Sequence, residues 1–193
     1  ETKLANYTLV AFAGEFVDGT SSTCMISQSN IAIYSDKDLL GLIYLNKSEA
    51  TQIGRLVLSD AGYIRVFSGD YIQTPNVEIH LKEHGLVLTQ QSNFTPYCNG
   101  ESILPNVIGS DILKAREILL KYGFKPSKLA DQSIPAWREN LLDEGIFEVD
   151  GCSGTGFAFC RFYYRNDVSS VGLMTAGEDE IPVVVSDHVI CDM

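Results

Sequence analysis

From Tyr7 to Thr89 the chain repeats one pattern: apolar runs of four to seven residues, separated by short polar or glycine-containing breaks. Runs this short are strand-length, whereas a packed helix needs about ten residues or more. The runs are Tyr7–Ala13, Thr23–Ser27, Ile31–Tyr34, Gly41–Leu45, Ile53–Leu58, Tyr63–Phe67, Val77–Leu81 and Leu86–Thr89. Gln28-Ser29-Asn30 and Ser59-Asp60-Ala61-Gly62 read as turns between them, and Ser48–Gln52 as a helical turn. Regular short strands predict a small antiparallel β-barrel or sandwich over residues 1–98. The polar stretch Gln90–Gly100, which contains Pro96, reads as a linker.

After the linker the period changes. Ser110 or Asp111 can cap a helix running through Lys121, with Ile112, Ala115, Ile118 and Leu119 on one face and Gly123 as its stop. Pro135 opens a second helix through Glu144, stopped by Gly145. Arg116-Glu117-x-Leu119-Leu120-x-x-Gly123-Phe124 repeats as Arg138-Glu139-x-Leu141-Leu142-x-x-Gly145-Ile146. Strands follow at Phe147–Val149, Phe157–Arg165, Ser170–Thr175 and Pro182–Val189. The fold class expected is α+β: the all-β domain 1–98, then a smaller α+β domain, 99–193, with two helices packed on a sheet.

A chain of 193 residues, 45% of them apolar, can bury a real core. It has no run of eighteen apolar residues, so no transmembrane helix is expected. Its net charge of −11 excludes nonspecific nucleic-acid binding and docking on anionic lipid, both of which need a basic face. The charge is uneven: residues 139–193 hold eleven acids and two bases, while residues 101–138 hold four acids and six bases. The acidic quarter reads either as a solvated surface or as a face that steers a cationic partner.

The five cysteines, Cys24, Cys98, Cys152, Cys160 and Cys191, form no C-x-x-C pair. A chain that starts at Glu1 without an initiator Met is what a removed export signal would leave. Together these favour disulfides in an oxidising compartment, periplasmic or extracellular. The pairs expected are Cys24–Cys98 and Cys152–Cys160, with Cys191 left over.

No reaction emerges from the motifs. His80-Leu-Lys-Glu83-His84 matches the inverted zinc-peptidase pattern, which would make His80, Glu83 and His84 a zinc hydrolase site. That chemistry needs a helix, whereas the alternation on both sides makes Lys82–Gly85 a hairpin turn, with Gly85 supplying the positive φ. Asp187 and His188 are adjacent in a strand and face opposite ways, and G-x-S-x-G is absent. No enzyme activity, cofactor or metal is therefore expected. Gly151-Cys152-Ser153-Gly154-Thr155-Gly156 lacks the lysine of a phosphate loop. It reads as a tight connection, or as a loop of small residues inserted into a partner. The candidate contact residues are Ser153, Gly154 and Thr155 there, and Glu178, Asp179 and Glu180 in a later loop.

Pro105-x-Val107-x-Gly109, followed by Ala115, Leu119 and Gly123-Phe124, resembles the opening of a PASTA repeat over about twenty of the 193 residues. That resemblance implies a cell-wall or glycan-binding module. In overall type the chain is similar to small exported bacterial proteins of the immunity or hydrolase-inhibitor kind. That likeness implies an acidic protein that neutralises a basic partner, such as a toxin or a wall-targeting enzyme. Oligomeric state is not encoded in any of these features.

Overall fold

The computed structural model describes residues 1–19, 24–44, 52–59, 61–69, 72–128, 139–153 and 156–192. The chain forms two compact units, Glu1–Ser92 and Asn93–Met193.

The first unit consists of two four-stranded antiparallel meanders. One comprises β1 (Thr2–Leu4), β2 (Tyr7–Asp18), β3 (Cys24–Ser35) and β4 (Asp38–Tyr44) in that order. The other comprises β5 (Ile53–Leu58), β6 (Ile64–Ser68), β7 (Pro75–Lys82) and β8 (Gly85–Gln90). Alternate residues of both meanders point into one aliphatic core, in which Leu9, Ile31, Ile64 and Ile79 are fully or almost fully buried. The β7–β8 turn has Gly85 at φ +124°, as the hairpin reading requires.

Gln28-Ser29-Asn30 is not a turn. It lies within β3, which runs unbroken beside β2, with Ala13 opposite Ser29 and Glu15 opposite Ser27. Gln28 takes φ +54° next to Gly14, whose missing side chain leaves room for that of Gln28. Ser29 is buried, and its hydroxyl accepts from the Ile53 N–H at 2.5 Å and donates to Gln52 Oε1 at 3.1 Å. The polar residues that mimic a turn thus fasten one meander to the start of the other.

The second unit opens with the hairpin β9 (Phe94–Tyr97) and β10 (Ser102–Pro105), joined by a 3-10 turn at Cys98–Gly100. The stretch read as a linker is therefore partly strand. The helix α1 (Ile112–Lys121) follows, capped by Asp111, whose carboxylate accepts from the Lys114 N–H at 2.8 Å. A five-stranded antiparallel sheet is built from β11 (Lys125–Ser127), β12 (Val149–Cys152), β13 (Cys160–Arg165), β14 (Ser169–Ala176) and β15 (Val183–Cys191). β11 and β12 both pair with β13, followed by β14 and β15. Ile112, Ala115 and Leu119 of α1 pack with Phe124, Phe162 and Tyr164 in the core.

The repeated segment closes in the same way twice. Phe124 N–H bonds Leu119 O and Ile146 N–H bonds Leu141 O, each 22 positions apart, with Gly123 and Gly145 both at positive φ. In both copies the leucine and the residue after the glycine are buried.

The expected α+β architecture is corrected. The chain is mostly β, with four antiparallel sheets and, among the described residues, no closed barrel and only two helices. The second of these, α2 (Asn140–Asp143), is four residues long, and the Pro135 start expected for it lies outside the described residues. One turn is enough to bury Leu141 and present Gly145, so the repeat encodes a stopped turn and not two equal helices. The second unit is not the smaller of the two.

Candidate partner-binding site

The described candidate residues, Ser153 and Glu178 to Glu180, lie at one end of the five-stranded sheet. Cys152 and Cys160 are directly opposite each other across β12 and β13, with Cα atoms 4.0 Å apart, and form a disulfide. Beyond it Ser153 N–H donates to Phe159 O at 2.6 Å, which carries the pairing of the two strands one residue further. Gly154 and Thr155 lie outside the described residues. Gly177, at φ +112°, donates its N–H to Phe157 O at 3.0 Å. That bond ties the loop after β14 to the loop before β13. Glu178, Asp179 and Glu180 follow it and are exposed.

The neighbouring elements are fixed by backbone contacts. Asn140 Nδ2 donates to Glu180 O at 2.7 Å, which holds the α2 turn against the acidic loop. Ile112 N–H donates to Pro182 O at 3.0 Å, and Asp111 bridges Val183, so the acidic cap of α1 stands at the same end. The sheet end therefore carries negative charge from two elements of different sequence regions.

The acidic excess of residues 139–193 is not one face. Glu148 and Asp150 are buried. Glu148 Oε1 accepts from Arg116 Nε and from the Tyr164 hydroxyl, each at 2.8 Å, and Asp150 lies 3.6 Å from Arg161. Burial, reinforced by the Glu148 charge and hydrogen bond, pushes the Tyr164 hydroxyl far above its ordinary value of 10, so it stays protonated. Asp167 and Asp192 lie at the opposite end of the sheet, where Asp192 is 3.8 Å from Arg165. The signal for the buried pair was legible: two acids, Glu148 and Asp150, interrupt the apolar run that starts at Ile146.

The second disulfide corrects the expected pairing. Cys98 bonds Cys191, with Cα atoms 5.4 Å apart, and Cys24 is a free, exposed thiol. Cys98 belongs to the turn of the β9–β10 hairpin and Cys191 to the last strand, so the bond ties the two ends of the second unit together. The Ser102 and Ser169 hydroxyls, 2.8 Å apart and buried, reinforce the same junction.

His80 and His84 sit on a strand and in a turn, not on a helix. His80 Nε2 lies 3.0 Å from the buried Glu78 carboxylate, and its ring stacks on Tyr63 at 4.7 Å. Burial alone would raise the Glu78 pKa, but hydrogen bonds from Ser92 and His80 outweigh it and hold the carboxyl below its ordinary value. No group of three or more potential metal ligands occurs among the described residues. No helix among them is long and apolar enough to cross a membrane. No family model matches the chain, and neither the curated proteins nor the solved structures provide a match.

Proposed function

We propose that this is an exported binding protein that neutralises a basic partner through the acidic end of its five-stranded sheet. The observation that carries the reading is the Gly177–Phe157 hydrogen bond, which brings the loop after Cys152 and the Glu178-Asp179-Glu180 loop to one end. The acidic loop leaves a strand locked by sheet pairing, so it is offered to a partner with little ordering cost. Clustered exposed carboxylates raise the encounter rate with a cation and orient it on approach. The two disulfides suit an oxidising compartment. No catalytic step is assigned to the protein.

The test uses hen lysozyme as a basic, wall-cleaving probe. The expected outcome is binding whose association rate falls steeply with salt. The triple variant Glu178→Lys, Asp179→Lys, Glu180→Lys should associate about tenfold more slowly and lose most of that salt dependence. Unchanged kinetics in the triple variant would remove this surface from the reading. Retention on purified peptidoglycan with no protein partner would instead favour the glycan-binding function that the PASTA-like segment implies.

A further inference from the structure

The first unit contains a cavity of about 390 Å³ that the reading above does not use. It opens between the two meanders. Ile31 and Ile43 line it from one sheet, and Val66, Val77 and Leu88 from the other. Its size falls in the range of small-molecule sites, roughly 300–1,000 Å³. Most of its described walls are aliphatic, with Tyr44, Gln52 and Asn76 as the polar residues.

The walls also restrict the occupant. Among the described residues that line the cavity, none is charged. An ion entering it would find no counter-charge among them in return for its lost hydration. Gln52 is one of the few polar groups on its wall, and the orientation of its amide is determined. The Ser29 N–H can only donate, and it meets Gln52 at 3.2 Å, so the atom there is the amide oxygen. The Ser29 hydroxyl occupies the same oxygen at 3.1 Å. What Gln52 has left to offer a ligand is therefore its N–H donors. At the rim Tyr44 is 74% exposed and Leu88 46%, so an apolar ligand would also cover surface that is otherwise in contact with water.

We propose that this cavity binds a neutral, mainly aliphatic molecule whose polar end accepts a hydrogen bond, of the kind an uncharged acyl ester presents. The acceptor meets the Gln52 amide N–H and the chain lies between the sheets. This site is independent of the acidic end of the second unit.

The probe is N-phenyl-1-naphthylamine, a neutral dye that fluoresces in apolar surroundings, added to the intact chain. One dye should bind per protein with micromolar affinity, and 1-monomyristin should displace it. Leu88→Trp, a change on a half-exposed edge strand, should fill the mouth and weaken the dye at least tenfold. Gln52→Glu keeps an oxygen for Ser29 but removes the N–H donors; it should weaken 1-monomyristin at least tenfold and the dye much less. That second variant also reads the site if Leu88→Trp fails to fold. Dye binding untouched by Leu88→Trp in a protein with the parent far-UV spectrum overturns the site. Displacement by myristate but not by 1-monomyristin overturns the neutral ligand.

Discussion

The two units are similar in length but are held together differently. The first relies on aliphatic contacts between two meanders, fastened by the buried Ser29 and by the Glu78–Ser92 and Glu78–His80 bonds. No disulfide joins its described residues, and its one cysteine in that set, Cys24, is free. The second unit contains both disulfides, an aromatic core around Phe124, Phe162 and Tyr164, and a buried ion pair between Arg116 and Glu148. The difference shows two ways to rigidify β structure. A covalent tie restricts the unfolded chain and leaves loops free to make contacts. A core held only by packing can open a cavity between its sheets, but depends on every buried polar group being satisfied.

Three experiments would break or sharpen that contrast. The largest effect is expected from Cys98→Ala with Cys191→Ala. These residues are 93 positions apart, and opening so long a loop costs about 4–5 kcal/mol in the chain-entropy model. Urea unfolding followed by hydrogen exchange should show the loss in the second unit, with protection at Leu9 and Ile79 unchanged. Equal loss of protection in both units would show that they unfold as one.

A smaller effect is expected in alkali. Tyr164 keeps its proton in the fold, whereas an unfolded chain releases it near pH 10. The unfolded state then binds fewer protons than the native one, so the second unit loses about 1.4 kcal/mol per pH unit above that value. Tyr164→Phe should flatten this slope while lowering stability at neutral pH, because Glu148 loses a donor. The same slope in Tyr164→Phe would assign the alkaline loss to another group.

The smallest effect is expected in acid, in the other unit. The Glu78 carboxyl is held below 4.5, so its contribution is present at neutral pH and is lost as pH falls below that value through its folded pKa. Glu78→Gln should remove this part of the acid sensitivity. Thermal melts at pH 6 and pH 3.5 that change equally in parent and variant would show that Glu78 does not set the limit.

Much of this was legible in local residues. β5 begins and ends at Ile53 and Leu58 as the alternation predicts, and α1 starts after Asp111 and ends before Gly123 as the capping signals predict. The edge elements were harder. β1, β9 and β11 are three or four residues long, and β9 and β11 contain Pro96 and Pro126, which read as breakers. Each is held by its partner strand and not by its own pattern. The acidic loop was visible as a run of three carboxylates, but its neighbours were not. The Phe157–Gly177 and Asn140–Glu180 bonds span 20 and 40 positions with no shared motif.

The sequence alone determined the strand-rich first half, the capped helix, the hairpin at Gly85 and the Cys152–Cys160 pair, because each depends on residues close together in the chain. Tertiary structure decided that Cys98 pairs with Cys191, that Glu148 and Asp150 are internal, and that Ser29 joins two sheets. Local pattern records which residues prefer water and which turns the backbone can make. It does not record which distant strands meet, and only that meeting sets which cysteines are within bonding distance and which carboxylates remain at the surface.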